Sequence, residues 1–143
     1  MHCKIFRRED GFTLMEVLVV VIIVAILAAV GVPIYTSYVE QARASEAQSA
    51  IGAIFNASKM YRQDTGEWPP NVEILEEDGY IQLDRSLKNR WQFEIVSGGQ
   101  ELANIQATST AEMKGGAGRN VIYDVETGKF SGYGVLGEDG ATG

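Results

Sequence analysis

Apolar residues are gathered at one end of the chain. From Val17 to Val30 fourteen consecutive residues are apolar, and extending the run to Phe12 and Val32 adds only Thr13, Glu16 and Gly31 as interruptions. A helix rises about 1.5 Å per residue, and about 20 apolar residues cross the core of a bilayer, so this run is long enough to span one. Beyond it the pattern becomes amphipathic. Tyr35, Tyr38, Val39, Ala42, Ala47, Ile51, Ile54, Ser58 and Tyr61 recur at three- to five-residue steps, with Glu40, Arg43, Glu46, Gln48 and Lys59 falling largely between them. No turn signal except the isolated Gly52 intervenes before Asp64-Thr65-Gly66. The pattern therefore predicts one helix from about Thr13 to Gln63, about 75 Å long at 1.5 Å per residue. Its first half is hydrophobic and its second half packs on a head.

The head begins where DTGEWPP, residues 64–70, ends that helix: Gly66 suits a C-cap and two prolines forbid continuation. Asn71 is placed to N-cap a short helix, VEILEED, closed by Gly79. After Arg90 the period changes to two. Trp91, Phe93 and Ile95 alternate with Gln92 and Glu94, and Ser97-Gly98-Gly99-Gln100 signals a hairpin turn. Leu102 to Thr110 reads as the return strand and Lys114 to Asn120 as a loop. Val121, Tyr123 and Val125 form a further alternating run, Glu126 to Lys129 a second turn, and Phe130 to Tyr133 a last short strand. The expected fold is α+β, a long N-terminal helix packed on an antiparallel sheet of three or four strands.

Composition narrows the function. The 143 residues carry 12 Lys and Arg against 19 Asp and Glu, a net charge of −7. The first eleven residues hold +1 of this, from Lys4, Arg7 and Arg8 against Glu9 and Asp10, which leaves −8 on the remainder. So acidic a chain is a poor binder of nucleic acid, and the pair Lys88 and Arg90 is the local exception. The single Cys and single His are Cys3 and His2, so a chain that loses this end has neither. That excludes a disulfide framework, a Cys/His metal site and catalysis by either residue type. The glycines do not follow a nucleotide-binding spacing, and no catalytic constellation is evident, so an enzyme is not expected.

Basic residues before the span favour a cytoplasmic N-terminus, with the rest of the chain outside. A buried core helix would not be so long and uniform. A cleaved secretory signal is compatible with Ala29-Val30-Gly31 as its small-residue site. A simple anchor does not explain Glu16, because a carboxylate inside a span costs about 2.5–3.5 kcal/mol. Glu16 either has a functional partner or sits at headgroup level, where the helix dipole favours a negative charge.

GFTLMEV, residues 11–17, resembles the processing site of type IV prepilins and type II secretion pseudopilins. The basic leader ending in Gly11 and the stretch Ala25 to Arg43 are similar to that family as well. The resemblance covers about the first 60 residues. It implies that a prepilin peptidase cuts between Gly11 and Phe12 and methylates the Phe12 amine. The cut places Glu16 fifth in the new chain, at the family's acidic position, and Pro33 twenty-second, at its helix-kinking proline. Implied roles are cleavage and methylation at Gly11 and Phe12, and assembly through Phe12, Glu16 and Pro33. Glu16 would pair with the Phe12 amine of a neighbouring copy, although its own amine, on the same helical face, is also in reach. Many relatives carry Gly where Ala25 stands, and helicity is thought to be lost between that Gly and the Pro, so Ala25 is a departure.

The resemblance further implies a division into leader (1–11), transmembrane and filament-core helix (12–33), amphipathic half (34–63) and head (64–143), the pilin fold. Implied partners are prepilin peptidase, copies of itself and other pilins, an inner-membrane platform with a cytoplasmic ATPase, and lipid before assembly. Nucleic acid is not expected. The chain would sit in the bacterial inner membrane with its N-terminus cytoplasmic, then in an extracellular filament serving adhesion, motility or DNA uptake. The alternative is a pseudopilin, whose filament is periplasmic; a second is a membrane-tethered binding domain. No cofactor or metal is expected. Gly137 to Gly140 faintly resembles the calcium loop of the major pseudopilin but lacks its further acidic residues, so these carboxylates, like Glu76-Glu77-Asp78, read as solvated charge. A disulfide like that near the C-terminus of many pilins is ruled out by the lack of cysteine beyond Cys3. Tyr35, Tyr38, Phe55 and Tyr61 read as core packing and an interfacial belt rather than as a conduction path.

Overall fold

A computed structural model describes residues 11–98 and 101–135. The leader before Gly11, the turn residues Gly99 and Gln100, and the Gly137–Gly140 stretch lie outside the described residues. Within them run α1 (Leu14–Thr65), α2 (Val72–Glu77), α3 (Arg85–Arg90), β1 (Trp91–Gly98), β2 (Glu101–Ser109), β3 (Asn120–Asp124) and β4 (Lys129–Gly132). The fold is α+β, as the pattern predicts. The chain divides into two compact units between Thr36 and Ser37.

In the first unit every described residue, 11–36, is exposed. α1 is apolar all round here, and none of its side chains is buried. It passes through Pro33 without ending. The proline has no N–H for the carbonyl of Ala29, and the Thr36 hydroxyl donates to the Pro33 carbonyl at 2.9 Å.

In the second unit, residues 37–65 of α1 lie on a four-stranded meander, β1-β2-β3-β4, with every neighbouring pair antiparallel. The buried stripe of α1 is Ala44, Ala47, Ala50, Ile51, Ile54, Ala57 and Ser58. It meets Trp91, Ile95, Leu102, Ile105, Ala107 and Val121 from the sheet and Val72 and Leu75 from α2. The alternation in β1 is visible directly: Trp91 and Ile95 are buried and Phe93 half-buried, while Gln92 and Glu94 face water. The register slips by one residue between Val96 and Ser97, a bulge beside the hairpin.

The expected apolar face of α1 needs correction. Ala47, Ile51, Ile54 and Ser58 are buried, but Tyr35, Tyr38 and Ala42 are exposed. Their place in the stripe is taken by Ala44, Ala50 and Ala57. Alanine carries little weight in a periodicity read from large side chains, yet its small size is what lets a sheet approach a helix closely. Ser58 is tolerated because its hydroxyl donates to the Ile54 carbonyl at 2.8 Å.

α1 ends two residues later than expected. Gly66, at φ +86°, donates its N–H to the Arg62 carbonyl at 2.8 Å, closing the helix with a left-handed residue. Asn71 N-caps α2, accepting from the Ile74 N–H at 3.0 Å. α3 was not legible: RSLKNR has one apolar side chain, Leu87, so no period exists to read. The fold also shifts strand ends by a residue or so. β2 starts at Glu101, Asn120 belongs to β3, and Val125 and Tyr133 lie just beyond their strands.

Two carboxylates fix loops. Asp124 accepts from the Thr127 N–H at 2.7 Å and hydroxyl at 2.9 Å, which holds its pKa below the usual carboxylate value. Asp64 accepts the Tyr80 phenol at 2.8 Å, and that bond, with burial and nearby negative charge, pushes the phenol pKa up.

Ile54 is fully buried and Met60, two turns' reach from it on the same helix, is 54% exposed. Ile54→Ala is expected to cost about 2–5 kcal/mol, from lost burial and the cavity left behind. Met60→Ala is expected to stay within about 0.5 kcal/mol. Denaturant unfolding of the detergent-solubilised chain checks this, and equal losses would contradict the assigned face.

Candidate functional site

The sequence points to the start of α1. Gly11, Phe12 and Thr13 precede the helix in a non-helical, exposed segment, and the Phe12 side chain is 89% exposed. Nothing lies within 4 Å of the position a Gly11 side chain would take. A non-helical, accessible bond ahead of a regular helix is what a protease can draw into its cleft.

Glu16 lies in the first turn. Its Oε2 accepts from the Thr13 N–H at 2.8 Å, and its own N–H donates to the Thr13 hydroxyl at 3.2 Å. Thr13 is the N-cap and Glu16 the third helical residue, so the pair forms a capping box that satisfies two N–H groups with no helical partner. Sequence reading missed this role, although the signal, Thr-x-x-Glu, was in plain view. The box brings the carboxylate back to within one peptide of Phe12. The helix dipole, positive at this end, favours its charge.

Pro33 lies inside α1, nearly five turns on. Ala25, Ala28, Ala29 and Gly31 are exposed between them, and no atom stands within 4 Å of a side-chain position at Gly31. Small residues on a lipid-facing helix permit close helix–helix approach. α1 is helical throughout this interval despite Gly31 and Pro33. Tyr35 and Tyr38 follow, 70% and 66% exposed, at the end of the apolar run. The other two aromatics on α1 belong to the head. Phe55 packs against Tyr123 at 5.3 Å between ring centroids, and Tyr61 against Tyr80 at 5.5 Å.

The basic pair in the head is neutralised. Lys88 binds Glu76 at 3.0 Å, and Arg90 pairs with Glu46 of α1. At the far end of α1, Arg62 reaches both oxygens of Glu101 at 3.3 and 3.4 Å and stacks on Trp68, tying the helix to the β1–β2 hairpin. Among the described residues no group of acidic, His or Cys side chains is arranged to hold a metal ion.

An exposed apolar helix of membrane-spanning length, joined to a small sheet-bearing head, is the architecture of the pilin fold. The family model for the prokaryotic N-terminal methylation motif matches residues 6–32. Through its N-terminal half the chain is similar to both type II secretion core proteins and type IV pilins. It is 43% identical over 70 residues to type II secretion system core protein G of Pseudomonas aeruginosa, 49% of each chain. It is 41% identical over 61 residues to a fimbrial protein of Eikenella corrodens, 43% of this chain and 40% of that one. It is 41% identical over 63 residues to a type IV major pilin of Neisseria gonorrhoeae, 44% of this chain and 38% of that one. The matched region thus spans about half the length, or less, of these relatives. They are named as secretion-system core, fimbrial and pilin proteins, not as enzymes.

Proposed function

We propose that this chain is a structural subunit of a type IV pilus-like filament, cut by prepilin peptidase between Gly11 and Phe12 and polymerised through α1. The observation that carries the reading is the register of Gly11 and Phe12, just ahead of α1, with Glu16 and Pro33 on it, in a stretch (11–36) where every residue is exposed. Before assembly lipid covers residues 12–33, with the N-terminus cytoplasmic and the head outside. Assembly, driven by an ATPase on an inner-membrane platform, exchanges lipid contacts for contacts with other copies.

Cutting exposes an amine at Phe12. Two unit charges about 4 Å apart attract by about 4 kcal/mol at an effective dielectric of about 20. That offsets the cost of about 2.5–3.5 kcal/mol of carrying a carboxylate into the span. Pairing Glu16 with a neighbour's amine would also set the axial register of the subunits. The capping box holds the carboxylate at the helix start, where either its own amine or a neighbour's is reached.

The second reading is a pseudopilin of a type II secretion system. It is favoured by the slightly longer match to core protein G, 70 residues against 63 for the gonococcal pilin. Both readings require the same processing and the same helix-mediated assembly.

Glu16→Ala is expected to weaken or abolish filament yield while leaving cleavage intact. Glu16→Gln keeps an acceptor for the Thr13 N–H but removes the charge, so it separates capping from charge pairing. It is expected to fail as Ala does; filaments at normal yield from either variant contradict the role. The function itself is tested by intact mass of the protein in filaments sheared from cells. A mass starting at methylated Phe12 and abundant in that fraction is expected for a pilus subunit. Processed protein retained in the envelope would transfer the assignment to the pseudopilin, and an uncut chain would overturn both.

A further inference from the structure

Arg43 is the anomaly in the head. It is half-buried, yet among the described residues its guanidinium has no hydrogen bond and no ion pair. Arginine out of full solvent is normally paired. Gly115, at φ +130°, lies against an Arg43 terminal nitrogen, which a side chain at that position would displace. Arg43 opens onto a cleft of about 610 Å³, lined also by Glu46, Ser86, Asn89, Arg90, Glu112 and Lys114. Glu46 is already spent on Arg90, and Lys114 is exposed without a partner among the described residues. Glu112 stands in the same cleft but forms an ion pair with neither Arg43 nor Lys114. The three cations of the cleft outnumber its two carboxylates, which leaves it net positive in a chain with an excess of carboxylates.

A matching group lies across α3. Ser86, Asn89 and Arg90 line the cationic cleft, whereas Lys88, on the other side of this short helix, is held by Glu76 of α2. Beside Glu76 stand Glu77 and Asp78, both exposed and without side-chain partners among the described residues. The two surfaces carry opposite charge and flank one helix on different sides, so neither can satisfy the other within one copy. Surfaces that are complementary but distinct make a head-to-tail contact, which repeats into a filament instead of closing as a dimer.

We infer that the cleft between α1, α3 and the β2–β3 loop receives the Glu77–Asp78 carboxylates of a second copy of this chain, through Arg43 and Lys114. This rests on the filament reading above and adds to it a contact between the heads of neighbouring copies, separate from any packing of residues 12–33. Electrostatic pairing at such a rim fixes register and suppresses wrong partners.

The test uses the full-length chain in cells that assemble it. Carrying Cys3→Ser, Glu112→Cys in the cleft and Glu73→Cys one turn before Glu77, which leave all four contact charges in place, it is treated in the filament fraction with a short bismaleimide. The expected result is a ladder of dimers, trimers and higher oligomers. Dimers alone, or no cross-link from filaments that contain the processed chain, overturn the contact. Separately, Arg43→Glu is expected to lower filament yield about tenfold at unchanged membrane level, and adding Glu77→Lys to restore it. Failure of that restoration overturns the second copy as occupant and leaves the cleft to another anion. The cross-linking variant leaves Arg43 in place, so a folding defect of Arg43→Glu does not blunt the test. Absence of any filament from the unsubstituted chain would overturn the functional reading, and this inference with it.

Discussion

Residues 14–36 form a helix in which every side chain is exposed, and most of those side chains are apolar. Water is not a tolerable surrounding for such a surface. Each Leu, Ile or Val moved out of water is worth about 1.5–3 kcal/mol, and more than a dozen are present. Lipid satisfies this demand and so do other copies of the same helix, and the two are nearly equivalent as apolar surroundings. Choosing between them therefore falls to smaller terms: close packing over Ala25, Ala28, Ala29 and Gly31, and the charge at Glu16. The account of function follows from that near balance. On the filament reading proposed above, such a helix loses little on leaving the bilayer, and an ion pair at Glu16 would favour a neighbouring copy over lipid.

The second unit solves a different problem, how to hold a head on the far half of the same helix without a disulfide. It does so with a narrow seam of alanines and two isoleucines against a four-stranded meander. The small side chains bring helix and sheet close, and Trp91, only 1% exposed, supplies the bulk from the sheet side. Polar ties at the edge fix the angle of the pieces: Arg90 to Glu46, Arg62 to Glu101, Lys88 to Glu76. Exposed pairs of this kind contribute little stability each, about 0–1 kcal/mol, so they serve more to orient α3 and the hairpin than to hold the fold. Arg43 stands apart because it has the setting of such a tie but no partner.

Much of this was legible in the residues. The long helix, the Asn71 cap, the alternation in β1 and the turn at Glu126–Lys129 all follow from strong local rules, and the structure places them within a residue or two. α3 was illegible because five polar residues with one leucine carry no period, and its position comes from neighbours: the Asp84 carbonyl, the Thr110 N–H and Glu46. The inner face of α1 was half legible, since Tyr35 and Tyr38 outweighed Ala44, Ala50 and Ala57 in any count of bulk. The candidate site was read from a motif, which names residue types but carries no geometry. The Thr13–Glu16 box gives Glu16 a local structural duty besides any pairing between copies, and the motif alone does not reveal it.

The central claim is that other copies of the helix cover residues 14–36 in the assembled state. The most direct measurement is the structure of the native filament by electron cryomicroscopy, read for the surroundings of those residues. The account predicts that Val17 to Val32 lie at the filament axis, each against the same stretch of neighbouring copies, with the Glu16 carboxylate beside a Phe12 amine. A filament in which these residues face solvent or detergent at the periphery, with contacts made by the heads alone, would contradict it.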